Sequence, residues 1–418
     1  MLNIIIGALK VIVLLGTLIV IHEFGHFVMA KLFKIKVHKF SIGFGPKLLN
    51  KKGKETEYSL RLIPLGGFVQ LEGEDENSDD PRSFSKKPIW QRILVIIAGV
   101  VVNISFAIII YLSIYMNINY YVLPIISEKT DANYLAQYGL EVGDTIASVD
   151  GKKVYNDYDI DIITSNSNKD TFLFTIVRKD GSKTFKNIKF DIVEEGFVGA
   201  AFNLDGSIAL VISGSASEKA GLKAKDLITH INGVEYNNVN DIISTIKKNG
   251  GKELYLTVLR DEKEKEIVVT PKLVRNKAIN FEYEEVKNAD FFENLSLAWN
   301  ETKSYLRANI EGALGLLRGE TENVEFTGIV GISNEITKTE SALDFFYLMS
   351  AISLSLGIMN LLPIPGLDGG KILICIIEAI RGKPMNKAVE GALTLISFCI
   401  LIFLMIYVTI GDISKLFG

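Results

Sequence analysis

Four long stretches of this chain carry almost no polarity, and they restrict what it can fold into. A helix crosses the hydrocarbon of a bilayer with about 20 mostly apolar residues, and it satisfies its own backbone hydrogen bonds where water cannot. The first stretch begins at Leu2, is apolar apart from Lys10 as far as Ile21, and runs into His22-Glu23-Phe24-Gly25-His26. The second lies within residues 93–118 and the third within residues 345–367, both without a charged residue, and the fourth covers residues 391–411. These lengths predict a polytopic α-helical membrane protein with four transmembrane helices, at residues 1–32, 89–119, 343–370 and 391–411. A hydrophobic share of 48 % over 418 residues agrees with that class. The N-terminal run has no basic cluster before it and no small-residue cleavage site after it, so it is read as a retained helix and not a signal peptide.

Lysine and arginine in short loops set the orientation. Residues 33–88 hold Lys34, Lys36 and Lys39, then Lys47, Lys51, Lys52 and Lys54; the short link at 371–390 holds Lys371, Arg381, Lys383 and Lys387. Both links fall on one side of a four-span chain, which is read as cytoplasmic, and the long region from about 120 to 342 is then extracytoplasmic. A net charge of −4 gives no footprint for nucleic acid. Cys375 and Cys399, both in apolar surroundings, are read as reduced, buried thiols.

The long region repeats itself. Gly139-Leu140-Glu141-Val142-Gly143-Asp144 and the residues through Gly151 recur at an offset of 82 as Gly221-Leu222-Lys223-Ala224-Lys225-Asp226 through Gly233, and Arg178 recurs as Arg260. Each copy reads as strand, Asp-Gly or Asn-Gly turn, strand, helix, strand, strand. The pattern resembles the bacterial PDZ domain, an α+β fold, with copies at 120–194 and 195–275. That resemblance implies a peptide-binding strand and loop at Val198, Gly199, Ala200, Ala201 and Phe202, since such domains add an extended peptide to a sheet edge; a spacer or size filter is the alternative. Within 33–88, Tyr58-Ser59-Leu60-Arg61-Leu62 and Phe68-Val69-Gln70-Leu71 read as a hairpin around Gly66-Gly67. Residues 290–319 repeat apolar side chains at helical spacing but with too many polar interruptions for a span, which predicts an interfacial amphipathic helix.

The chemistry concentrates at His22-Glu23-Phe24-Gly25-His26. Positions i and i+4 of a helix share a face, so His22 and His26 can grip one zinc ion, and Glu23 sits beside them as a base for water. A catalytic zinc site has three protein ligands and an open position. Position 32 is leucine, His38 lies in a lysine-rich loop, His230 lies in the second repeat, and Glu55 opens a predicted hairpin. Asp368 is the better third ligand, because it ends an otherwise uncharged span, where a carboxylate needs a cation. Around it, Asn360-Leu361-Leu362-Pro363-Ile364-Pro365-Gly366-Leu367-Asp368-Gly369-Gly370 breaks the helix and frees backbone to fold around a site. Asn360 adds a donor for a substrate carbonyl or an oxyanion.

His-Glu-x-x-His in the first span, with Asn360, Pro363, Asp368 and Gly369 in the third, resembles the site-2 protease family, and the paired repeats make the chain similar to its RseP-type bacterial branch with tandem PDZ domains. The resemblance implies an intramembrane zinc metalloendopeptidase, with Zn2+ on His22, His26 and Asp368 and with Glu23 as general base and acid. It implies a re-entrant β-hairpin, including Gly43, Phe44, Gly45, Gly66 and Gly67, that holds substrate backbone extended at the metal. It also implies single-span membrane substrates, such as anti-sigma factors and remnant signal peptides, trimmed beforehand by a site-1-type protease. The active site would lie near the cytoplasmic face of a multi-pass cell-membrane protein. The family's Gly-Pro segment stands here as Gly328-Ile329-Val330-Gly331-Ile332, without its proline, and Lys371 follows Gly370 where the family often has histidine. Two other classes, a metal-stabilised receptor and a zinc transporter, need respectively a fourth protein ligand and acidic or histidine pairs in several spans; neither pattern is found.

Overall fold

The computed structural model describes residues 2–74, 78–118, 120–165, 167, 169–203, 205–212, 214–236, 238–260, 263–279, 281–317, 328–339, 341–383 and 385–417. The chain forms two compact units, one of residues 2–121 and 285–412, the other of residues 122–284.

The first unit opens with α1 (Leu2–Leu32), β1 (Val37–Lys52), β2 (Glu57–Leu71), a 3-10 turn at Phe84–Lys86 and α2 (Ile89–Ile118). β1 and β2 are both long enough to bend back on themselves. Residues 39–42 therefore lie between two parts of β2, with Phe40 opposite both Tyr58 and Val69 and Ser41 opposite both Ser59 and Phe68. The predicted hairpin thus differs from the structure. Its two strands face each other only through the strand at 39–42, while residues 47–52 pair with 57–61. Side-chain hydrogen bonds from Ser59 and Arg61 to the Ser41 hydroxyl, 3.0 and 2.8 Å, tie this central position down.

The second unit carries the repeat. β3 (Tyr120–Ile126), α3 (Ala132–Tyr138), β4 (Thr145–Val149), β5 (Lys152–Lys153), α4 (Tyr158–Ser165), β6 (Thr171–Val177) and β7 (Lys183–Lys189) hold the first copy. β8 (Asp191–Phe197), β9 (Ala200–Phe202), β10 (Ile208–Val211), α5 (Ala216–Lys219), β11 (Leu227–Ile231), β12 (Val234–Glu235), α6 (Val239–Lys248), β13 (Leu254–Arg260) and β14 (Lys263–Val269) hold the second, and β15 (Lys272–Ala278) and β16 (Tyr283–Lys287) follow. The series β4-β5-α4-β6-β7 recurs as β11-β12-α6-β13-β14, around Asp150-Gly151 and Asn232-Gly233 turns whose residues all have positive φ. Each copy has its own core, one around Phe172, Phe174 and Ile146, the other around Leu254, Leu256 and Ile228.

The copies are not simply consecutive. β16 joins the first copy's sheet, in the order β16-β3-β4-β6-β7, and Phe281 is buried in the first core. β15 pairs with β8, closing the second copy's segment into a loop that leaves and returns. The repeated arginines explain themselves: Arg260 grips Asp226 at 2.6 Å and donates to the Gly221 carbonyl at 2.7 Å, and Arg178 lies 3.3 Å from Asp144 and donates to the Gly139 carbonyl at 2.8 Å.

The chain returns to the first unit as α7 (Phe291–Leu317), α8 (Ile329–Lys338), α9 (Ala342–Leu361), α10 (Asp368–Arg381) and α11 (Lys387–Phe417). Among the described residues, four helical stretches are long and apolar enough to cross a membrane, Ile6–Leu32, Ile89–Ile118, Ala342–Leu361 and Ala388–Asp412. The third helix ends at Leu361, short of the expected boundary, because Pro363 and Pro365 cannot continue it; Asp368 instead opens α10, a helix within what reads as a link in the sequence. α7 packs on α2 and α9, and its polar interruptions have partners: buried Glu301 accepts from Tyr347 Oη at 2.6 Å and from Tyr115 Oη at 3.2 Å. Lys10, the one charged residue of α1 before His22, donates to the Thr339 carbonyl just past α8, at 2.5 Å. Gly328 and the residues after it form the N-terminus of α8, where Asp412 of α11 accepts from the Gly331 N–H at 2.8 Å. Cys375 is buried as expected, but Cys399 is exposed, because α11 turns its apolar surface outward where a bilayer would cover it.

Arg260→Leu strands the Asp226 carboxylate, whose side chain is 1 % exposed. The expected loss is on the order of 3 kcal/mol in the second copy. Amide hydrogen exchange across β13 in the full chain should accelerate accordingly, and unchanged exchange there would refute this role for the pair.

Candidate metal centre

α1 brings His22 and His26 to one face, and the backbone reversal after α9 brings Asp368 to meet them. His22 Nε2 lies 3.1 Å from Asp368 Oδ2, His26 Nε2 lies 3.2 Å from the same oxygen, and the two Nε2 atoms are 3.2 Å apart. The His26 Nδ1 donates to the Val95 carbonyl at 2.9 Å, which leaves its Nε2 as a lone pair. Two imidazole nitrogens and a carboxylate oxygen converge here on one point, a donor set that can hold a metal ion. Ligands held at about 2.0–2.1 Å in a tetrahedron stand about 3.3 Å apart, so the triangle fits a small divalent ion. Among the described residues this is the one group of three or more such side chains with metal-binding geometry.

The site depends on close backbone approach. A Cβ on Gly99 of α2 would lie 2.6 Å from His26 Nε2 and 2.7 Å from His22 Cε1, and one on Gly25 would lie 2.5 Å from the Ala98 carbonyl oxygen. Glycine at both positions lets α2 cross α1 directly over the imidazoles. At the other wall, Gly369 and Gly370 would each drive a Cβ to within 2.3 Å of a carbonyl oxygen of the Leu361-to-Ile364 segment. Their lack of a side chain permits the tight reversal that swings Asp368 back. α10 is braced against α2 by Arg92 and Glu378, 2.6 Å apart and both largely buried, with the guanidinium 5.1 Å from the Phe84 ring.

The remaining expected residues separate into two groups. A cavity of ≈540 Å³ is lined by His22, Glu23, His26, Asp368 and Asn360, together with Phe44, Gly66 and Gly67 of the β element. The Asn360 amide nitrogen is 3.3 Å from His22 Nε2. Lys371 and Glu74, paired at 2.5 Å, also face this cavity. Gly43 and Gly45 do not line it; both have φ +83°, and they shape the bend of β1 beside Ile63. Val198, Gly199, Ala200, Ala201 and Phe202 belong to the other unit, where Val198 is buried and the strand at 200–202 pairs with β10.

The other candidate ligands are engaged elsewhere. Lys31 and Arg82 bind the Glu55 carboxylate and hold it down at about 2, and His38 lies 2.6 Å from Glu72. Glu72 is itself held at about 2 by Ser78, Lys36 and His38. What sequence reasoning did not single out is α2: Val95, Gly99 and Asn103 all touch the imidazoles or would crowd them. The available signal was an asparagine with a glycine four residues before it, in a span free of charge.

The sequence profile of Peptidase family M50 matches residues 10–404. The chain is 31% identical over 403 residues to a protein of Clostridium acetobutylicum named as a zinc metalloprotease, covering 95% of this chain and 94% of that one. It is 30% identical over 439 residues to the regulator of sigma-W protease RasP of Bacillus subtilis, covering 97% and 98%. It is 29% identical over 442 residues to the regulator of sigma-E protease RseP of Escherichia coli, again covering 97% and 98%.

Gly99→Ala is expected to weaken metal binding by about 1–3 kcal/mol through overpacking against both rings. Metal analysis of the purified variant against wild type checks it, and equal metal retention would contradict the crossing argument.

Proposed function

This chain belongs to peptidase family M50, the site-2 zinc metalloproteases, and from that premise we propose that it cuts single-span membrane proteins within or at the edge of the bilayer, using His22, His26 and Asp368 as zinc ligands and Glu23 as general base. The observation that carries the reading is the 3.1–3.2 Å triangle of those three side chains in a cavity that also exposes Glu23. Zinc there supplies Lewis acidity and an acidified water. Glu23 takes up a proton from the attacking water and returns it to the leaving amine. The Asn360 amide, beside His22, is placed to donate to the oxygen of the scissile carbonyl.

A membrane helix hides its peptide bonds in its own hydrogen bonds, so cleavage needs a replacement partner for the unwound segment. Residues 67–70 pair along one edge with 39–42, and Gly66, Gly67 and Phe68 border the cavity. This supports a re-entrant β element whose other edge takes up the extended substrate. The lysine-rich links support a cavity near the cytoplasmic side and a repeat unit outside. Under this reading the two copies are PDZ domains, at 120–194 and 195–275, that bind a newly exposed C-terminus at 198–202 or exclude untrimmed chains by bulk. The names of the RasP and RseP relatives, regulators of sigma-W and sigma-E, favour anti-sigma factors as substrates. Remnant signal peptides form a second substrate class, and a site-1-type protease acts first.

Two outcomes are expected. Glu23→Gln should keep its zinc and lose cleavage of a model single-span substrate by at least about 10²–10⁴-fold; near-wild-type cleavage by the purified variant would overturn the role of Glu23. In a chain freed of its own cysteines, a cysteine at Lys54 should react with an impermeant thiol reagent only from the cytoplasm and one at Asp180 only from outside. The reverse pattern would invert the orientation.

A further inference from the structure

We propose that Asn103 is the positioning residue for the first metal ligand, its amide oxygen accepting the Nδ1–H of His22 whenever Nε2 of that ring is committed to zinc. The inference rests on the zinc-site reading above and goes beyond it. Asn103 lies in α2 and is completely buried. Its amide nitrogen is 3.3 Å from His22 Nδ1, while its amide oxygen is buried and has no hydrogen-bond partner. Its own carbonyl accepts from Ser353 Oγ at 2.9 Å, which fixes this turn of α2 against α9.

His22 Nε2 faces Asp368 and His26, so it is the nitrogen a cation takes. A neutral imidazole bound through Nε2 carries its proton on Nδ1, and that proton needs an acceptor. The nitrogen end of a carboxamide cannot accept it. The two ends of the amide fill nearly the same volume, so a half-turn about the last side-chain bond sets the unpartnered oxygen on Nδ1–H. The other imidazole is held in the same way, by the Val95 carbonyl on its Nδ1. Residues 95, 99 and 103 recur every four positions and lie along one stripe of α2. That stripe offers an acceptor to His26, clearance at Gly99, and an acceptor to His22. One helix thereby selects the tautomer of both ligands.

Zinc affinity and the visible spectrum of the Co(II)-loaded protein test this in full-length wild type, Asn103→Asp and Asn103→Leu. The proteins are stripped of metal and titrated against a competing chelator. Aspartate offers an acceptor in either orientation, whereas leucine keeps the volume and accepts nothing. Leucine should weaken zinc about 10–100-fold and shift the cobalt bands, and aspartate should stay within about threefold of wild type with wild-type bands. A leucine variant that binds as wild type does, or an aspartate variant that loses as much as leucine, overturns the proposal. If leucine prevents accumulation of the protein, Asn103→Val takes its place with the same criterion. Cleavage is not read, so failure of Asn103 leaves the protease assignment standing, while wild type that takes up no zinc would bring down both.

Discussion

Two imidazole nitrogens and a carboxylate oxygen stand 3.1–3.2 Å apart inside an apolar helical unit, where a buried carboxylate needs a positive partner. Much of the first unit serves to hold these three atoms together. Gly25 and Gly99 bring α1 and α2 into backbone contact, and Gly369 and Gly370 fold the segment after α9 back on itself. Arg92 and Glu378 fasten α10 to α2 at the end of α10 remote from Asp368.

The same logic accounts for the other polar groups in this unit. An ionisable side chain at membrane depth is tolerated when it is partnered. Lys10 has the Thr339 carbonyl, Glu301 has two tyrosine hydroxyls, and Asp412 has the N-terminus of α8. These partners lie tens to hundreds of residues away along the chain, so each polar group also pins one helix to another. In each of these examples a buried charge is met by a partner from another part of the chain, as the Asp368 carboxylate is met at the metal centre by two imidazoles.

The second unit shows a different economy. Its two copies reuse one solution, an arginine reaching from the end of a strand to a buried aspartate and to a glycine carbonyl. The repeat was legible because it preserves those residues at a fixed offset. The closure of the first copy by β16 and Phe281 was not legible, because nothing local in residues 279–287 says which sheet edge they will meet. Likewise the pairing of residues 39–42 with two parts of β2 follows from the bending of two long strands, while sequence reading paired neighbours in the chain.

The sequence by itself determined the membrane class, the four candidate spans, the repeat, and the candidate metal-ligating side chains, since hydrophobic length, helical spacing and ligand chemistry are local properties. It also marked Asp368, because a lone carboxylate at the end of an uncharged span demands a counter-charge. Tertiary structure alone decided that α2 supplies the floor and the hydrogen-bond partners of the site. Val95 contributes through its backbone carbonyl and Gly99 through the absence of a side chain, and neither leaves a chemical signature in the sequence. It also decided that Gly66, Gly67 and Phe44 reach the cavity while Gly43 and Gly45 do not, a distinction set by where a bent strand points.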